Sequence, residues 1–263
     1  MPYAGLDDIT LFYREAGNRA AGDDGPPVLL IHELGGSGAS WEAVMSHLAK
    51  RRRVLAPDLR NAGLSEKPPG PHELEHHADD LAGLLAARGI AQADIIGSAL
   101  GAIVALTLAL RHPAKVRRMV LCAAAPEITD DARRYLAERA ERVRAEGMRT
   151  VAAASLANAF PSPHEAAGAA YLPAFLANAP HAYAELSLAL SRMNIATERF
   201  AGIAAPTLIL QGAADFIWPP AVGERVAGLL PAARFRLLAD AAHFPHIQAP
   251  DMVAAIALEF CAR

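Results

Sequence analysis

Asp94-Ile95-Ile96-Gly97-Ser98-Ala99-Leu100-Gly101 leads from a short apolar run, through two glycines, into the helix-forming segment Ala102 to Leu110. The pattern predicts a strand, a very tight turn and a helix, with a glycine two residues either side of an apex at Ala99. A nucleophile elbow needs this arrangement, because its apex backbone is strained and neighbouring chain must approach closely. The apex should then carry a nucleophile, and the methyl group of Ala99 can attack nothing.

The sequence on either side repeats the strand and helix signals in alternation. Val28 to Ile31 is a short continuous apolar run suited to a strand buried on both faces, and Arg53 to Ala56 and Arg118 to Cys122 join Asp94 to Ile96 as further strands. Ile9 to Arg14 alternates apolar and polar residues, as a half-exposed edge strand would. Asn18 to Pro27 reads as a surface turn. Ser40 is a candidate cap for a helix through Lys50, with Trp41, Val44, Met45 and Leu48 inward. His72 to Arg88 places Leu74, His77, Leu81, Leu84 and Leu85 at helical spacing. From Glu127 to about Asn194 no buried-strand run occurs, and four helical segments follow one another. The first is capped by Thr129 and carries Tyr135, Leu136 and Val143 on one side. The alternation then returns: Pro206 to Leu210 and Arg234 to Leu238 as strands, Ala221 to Leu230 and Ile247 to Cys261 as helices. This order predicts an α/β fold with a mostly parallel sheet covered on both faces. Its core is expected in two parts, 1–126 and 196–263, with a helical cap over 127–195 at the carboxyl ends of the strands.

Composition narrows the function classes. A net charge of −3 leaves no footprint for nucleic acid or an anionic membrane. Cys122 and Cys261 have neither metal nor redox spacing and read as small apolar packing residues in a reducing compartment. No secretory leader and no run of membrane-spanning length is visible, so a cytoplasmic protein acting on a small molecule is expected. No metal or cofactor is called for. Oligomeric state is left open, with a homodimer as one option.

Five motifs in order resemble the α/β-hydrolase fold family over essentially the whole chain. Leu30-Ile31-His32-Glu33-Leu34-Gly35-Gly36-Ser37 is similar to its oxyanion loop, and Asp58-Leu59-Arg60-Asn61-Ala62-Gly63-Leu64-Ser65 to its Asp-x-Arg-Gly-x-Gly-x-Ser turn. Gly97-Ser98-Ala99-Leu100-Gly101 resembles the elbow Gly-x-Ser-x-Gly. Leu210-Gln211-Gly212-Ala213-Ala214-Asp215 resembles the acid turn, and Ala242-His243-Phe244-Pro245 the histidine turn. The helical middle, especially Arg142 to Met148, looks similar to the cap of 3-oxoadipate enol-lactonases. The resemblance implies an eight-stranded sheet with an inserted cap, and a catalytic triad.

Acyl transfer needs a nucleophile, a base to accept its proton and an acid to orient the base. His243 is the expected base and Asp215 the acid that accepts its Nδ1 proton; His246 and Glu127 are the rivals. The backbone amides of Leu34 and Leu100 are the expected oxyanion donors. Glu33 stands where the family usually has glycine. It is expected either to turn away towards Arg60 or Asn61 or to touch a donor group on the substrate. His32 reads as a buried, hydrogen-bonded loop anchor. Phe216, Ile217 and Trp218 are candidate pocket residues, and Arg192 or His181 a candidate receiver for a substrate carboxylate.

Ser98 cannot replace the missing nucleophile, because the residues two away from it are Ile96 and Leu100 rather than glycines. A pocket hydroxyl is its remaining role. Two explanations of Ala99 remain: a serine hydrolase of a small ester, lactone or activated amide with its serine replaced, or a non-catalytic ligand-binding protein on the same fold. Epoxide or haloalkane chemistry would want aspartate at the apex. The retained partners Asp215 and His243 favour the hydrolase with its nucleophile removed.

Overall fold

The computed structural model describes residues 2–17 and 25–262. The expected surface turn over 18–27 lies mostly outside the described residues. Among the described residues, eight strands form one sheet: β1 (Tyr3–Gly5), β2 (Thr10–Ala16), β3 (Val28–Ile31), β4 (Val54–Pro57), β5 (Ala93–Ser98), β6 (Val116–Cys122), β7 (Thr207–Gly212) and β8 (Ala233–Leu238). Their order is β1-β2-β4-β3-β5-β6-β7-β8. β2 pairs antiparallel with β1 and β4, and every later pairing is parallel. β2 is therefore not the edge strand its alternation predicts. β1 lies outside it with Tyr3 opposite Phe12, and is too short to leave a periodic signal.

Why the central strands read as continuous apolar runs is visible in their parity. Leu29, Ile31, Ile95, Met119, Leu121 and Ile209 face one core, while Val28, Leu30, Ile96, Val120, Leu208 and Leu210 face the other. A strand alternates its side chains between two faces, so a sheet covered on both sides needs apolar residues at every position. The first face is covered by α2 (Leu74–Ala87) and α3 (Leu100–Arg111), through residues such as Leu81, Leu84, Ile103 and Leu106. The second is covered by α1 (Glu42–Leu48) and α10 (Pro250–Ala262), through Val44, Leu48, Val253 and Phe260. Cys122 and Cys261 are buried free thiols in this second core, and burial pushes each up to about 12.

The helix expected to start at Ser40 is entered differently. Ser37 caps a short 3-10 turn, Gly38–Trp41, by accepting from the Ala39 amide; α1 follows it. The Ser40 hydroxyl completes a capping box by accepting from the Ser37 amide at 3.4 Å, and its own proton remains to be donated elsewhere.

Between β6 and β7 run α4 (Asp130–Glu146), α5 (Arg149–Ala159), α6 (Glu165–Leu176) and α7 (Pro180–Ser191). Thr129 caps α4 through the Ala132 amide, as expected. α4 packs along α7; Val143, Tyr183 and the inner residues of α5 and α6 form a third cluster with Ala99 and Phe244, while Leu136, Leu186 and Leu190 join the first core. After β7 come α8 (Pro220–Leu229), then β8, and a single helical turn, α9 (Pro245–Gln248), before α10. Among the described residues, no helix is long and apolar enough to cross a membrane.

Candidate active site

The elbow sits where β5 leaves the centre of the sheet. Ala99 has φ 50° and ψ −112°, a left-handed geometry that L residues rarely adopt. Its amide donates to the Cys122 carbonyl at 2.9 Å, and its own carbonyl accepts from Ala102 at 3.0 Å and Ile103 at 3.2 Å. α3 therefore starts directly after the apex, and the Leu100 amide belongs to the helix's unpaired first-turn donors. Both glycines are required by close approach. A side chain at Gly97 would meet the Gly101 carbonyl, and one at Gly101 would meet the carbonyls of Ile31 and His32. The spacing read in the sequence thus has a steric cause. Ser98, the last residue of β5, is buried and outside the cavity, and the expected pocket hydroxyl is not there.

Asp215 and His243 come together from two loops at the ends of β7 and β8. The His243 Nδ1 lies 2.9 Å from Asp215 Oδ2, with both side chains buried. Asp215 is fixed by other donors: Gln211 Nε2 at 2.7 Å on Oδ2, and the Ile217 and Trp218 amides, each at 2.9 Å, on Oδ1. A carboxylate so held accepts, so His243 carries its proton on Nδ1 and presents Nε2 as a lone pair. The two loops can meet because Gly212 has no side chain to strike the Ala241 and Ala242 backbone. The rival residues are occupied elsewhere. Glu127 is exposed and pairs with Arg225, while His246 is fully buried, stacked on Trp41 and bonded to Glu33.

The loop that resembles the family's oxyanion loop leaves β3 at His32. His32 Nε2 accepts the Leu59 amide at 3.0 Å, which puts its proton on Nδ1, 2.8 Å from the Glu33 carbonyl. It is the buried loop anchor expected. Glu33 corrects the sequence reading. Its carboxylate touches neither Arg60 nor Asn61 and is closed off from any substrate. Oε1 accepts from Ser40 Oγ at 2.7 Å and Tyr171 Oη at 2.8 Å, while Oε2 lies 3.0 Å from His246 Nε2. Burial alone would raise its pKa, but the hydrogen bond from His246 leads the opposing interactions, which prevail and hold it down to about 2. Arg60 is taken by Asp80, at 2.6 and 2.7 Å, and by Asp8. Asn61 occupies its turn with φ 66°, a conformation asparagine tolerates better than most residues.

A cavity of about 340 Å³ opens over the elbow. Ala99, Leu34, Leu100 and His243 form its floor, and α4–α6 supply its roof through Leu136, Arg139, Ser155, Phe160, Tyr171 and Phe175. Phe216 and Ile217 line it as expected, with exposures of 73% and 41% that place them at the mouth. Arg192 does not reach it, because its guanidinium is held by Glu73 at 2.7 Å and the His72 carbonyl at 2.9 Å. His181 also lies outside. The cation that lines the cavity is Arg139. It is 9% exposed, and donates to Ser155 Oγ at 2.7 Å and Tyr135 Oη at 3.2 Å. The guanidinium also stands 5.3 Å over the Tyr183 ring. Its Nε has no partner, and none of these neighbours is a carboxylate. The sequence held the signal: Arg139 is four residues from both Tyr135 and Val143, on the helix side that carries these apolar residues.

The family model for the alpha/beta hydrolase fold matches residues 26–250. The chain belongs to that family. The enol-lactonase from Burkholderia xenovorans LB400 superposes with a TM-score of 0.93 at 29% identity, covering 100% of both chains. A thermophilic esterase from Thermogutta terrifontis, solved with malate bound, superposes with a TM-score of 0.90 at 28% identity, covering 99% of this chain and 96% of that one. The 2-hydroxymuconate semialdehyde hydrolase of Pseudomonas sp. (strain CF600) is 44% identical over 108 residues, which span 38% of this chain and 37% of that protein. These relatives are hydrolases.

Proposed function

We propose that this chain is a serine-type hydrolase of a small ester, lactone or activated amide, carrying alanine at its nucleophile position and therefore binding substrate without turnover. The observation that carries the reading is the Asp215–His243 pair, complete and buried, opening on the same cavity as a strained elbow whose apex lacks only a hydroxyl.

With serine at position 99, His243 Nε2 would take the hydroxyl proton as the oxygen attacks the substrate carbonyl. The tetrahedral oxyanion would be met by the amides of Leu34 and Leu100. Collapse breaks the bond to the leaving oxygen or nitrogen, which receives the proton from His243 and leaves an acyl-enzyme. Water then loses a proton to His243 and attacks the acyl carbon. Collapse of that second intermediate frees the acid and returns the proton to the serine oxygen. Asp215 holds the imidazole in the required tautomer throughout.

Arg139 indicates the substrate class. A buried guanidinium with only neutral partners is costly without a counter-anion, and the cavity is otherwise mostly apolar. A substrate with a carboxylate beyond its scissile carbonyl would complete the pairing. The enol-lactonase relative and the malate-bound esterase suit this reading.

Ala99→Ser tests it. Turnover of small carboxylate-bearing esters or lactones should appear in that variant and be absent from the parent chain. The second reading, a non-catalytic binding protein, is favoured by Ala99 itself. A folded Ala99→Ser variant inert across a broad ester, lactone and amide panel would establish that reading and sink the first.

A further inference from the structure

Glu33 is an ionised carboxylate with no solvent exposure, set directly before the expected oxyanion donor Leu34. Its three side-chain partners come from three different parts of the site. Ser40 belongs to the turn that follows the oxyanion loop, Tyr171 to α6 in the roof, and His246 to α9, three residues beyond His243. Tyr171 also lines the cavity. Gly36 is shaped to this arrangement, because a side chain there would overlap Glu33 Oε1.

The backbone of the same residue is held as firmly. The Glu33 carbonyl lies 2.8 Å from His32 Nδ1 and accepts the Gly36 amide at 3.1 Å. A trans peptide is planar, so pinning that carbonyl fixes the Leu34 N–H, which belongs to the same peptide and points the opposite way. We propose that Glu33 is a positioning residue. Its carboxylate anchors the peptide that carries the Leu34 amide, and ties it at once to the roof through Tyr171 and to the catalytic-histidine loop through His246. This rests on the assignment of the Leu34 amide as an oxyanion donor. Its effect is to preorganise a dipole, which is worth most when it needs no rearrangement as charge develops.

Two arms test the proposal and separate its failure from that of the hydrolase reading. In the chain as it stands, hydrogen exchange of residues 33–36 and of α6 should rise at least about tenfold in Tyr171→Phe and in Glu33→Ala, as expected for local opening without global unfolding. Exchange of β5 and β6 should not change. In the Ala99→Ser background, Glu33→Ala should lower kcat by about tenfold to a hundredfold with KM within about threefold, the signature of a lost transition-state contact. Glu33→Gln, which keeps the acceptor for Ser40 and Tyr171, should recover most of that loss. Adding Tyr171→Phe to Glu33→Ala should cost no more than Glu33→Ala alone.

Unchanged exchange at 33–36 and α6 in Tyr171→Phe overturns the tie to the roof, even if Glu33→Ala fails to fold. A fall in kcat as large for Glu33→Gln as for Glu33→Ala overturns the hydrogen-bond role in favour of charge. If Ala99→Ser proves inert, the hydrolase reading falls while the exchange arm still decides whether Glu33 ties loop to roof.

Discussion

Ala99 combines an unreactive side chain with a backbone geometry that alanine has no reason of its own to adopt. Its φ of 50° and ψ of −112° are those of the first central residue of a type II′ turn, where glycine is preferred. Strain of this kind costs about 1–3 kcal/mol, and glycine's extra freedom in the unfolded chain costs roughly 0.5–1 kcal/mol in return. Ala99→Gly should therefore stabilise the protein by about 1 kcal/mol, read as a rise in urea midpoint at unchanged slope; a fall would mean that the turn imposes no strain. Arg139 makes the matching prediction for ligand binding. Arg139→Met keeps the length of the side chain and removes the charge. A charge-assisted hydrogen bond contributes about 1.5–3 kcal/mol, so affinity for a carboxylate-bearing ester should drop at least about tenfold. Calorimetry with the Ala99 chain would show the drop, and a neutral isostere should bind the two proteins alike.

At the scale of elements, the strand-elbow-helix unit depends on two missing side chains. Gly101→Ala would drive a methyl group into the carbonyls of Ile31 and His32, backbone that cannot swing aside. Overpacking against fixed chain costs about 3 kcal/mol or more here, so the variant should lose that much stability in chemical denaturation or fail to accumulate as folded protein. This is also where the sequence was most legible. The central strands declare themselves because burial on both faces makes every position apolar, and Asp215 and the elbow are marked by glycines at the ends of such strands, whereas His243 follows a more exposed strand and is marked only by its turn motif. What stayed hidden depends on partners distant in the chain. Glu33 meets Tyr171 across 138 residues and His246 across 213, and Arg192 finds Glu73 across 119. Local periodicity carries no trace of such pairings, so the sequence offers Glu33 only Arg60, Asn61 or the substrate and offers Arg192 a substrate carboxylate, while the fold gives each a different partner within the protein.

For the whole molecule, acid is the condition that should discriminate among its buried groups. His77, on α2, is pushed down to about 3 by burial first and then by the positive charge of Arg60 and the neighbouring histidines. The unfolded chain binds that proton near 6.5 and the folded protein only near 3, so stability is whole above 6.5 and declines as pH falls through the interval. Glu33 adds a second window. Its folded value of about 2 lies below the ordinary 4.5, so its contribution is present above 4.5 and is lost as pH drops towards 2. Thermal midpoints taken from pH 7 to pH 3 should fall less steeply in His77→Leu than in the parent; parallel curves would show that His77 titrates normally. The two thiols offer a different use of the same architecture. Cys122 on β6 and Cys261 on α10 lie in one core layer, protonated and shielded, so a maleimide added to the native protein should find almost nothing to alkylate. Labelling would then proceed only as fast as that layer opens, which makes the pair a built-in clock for unfolding. A cysteine introduced at the cavity mouth could be dyed selectively in the same molecule.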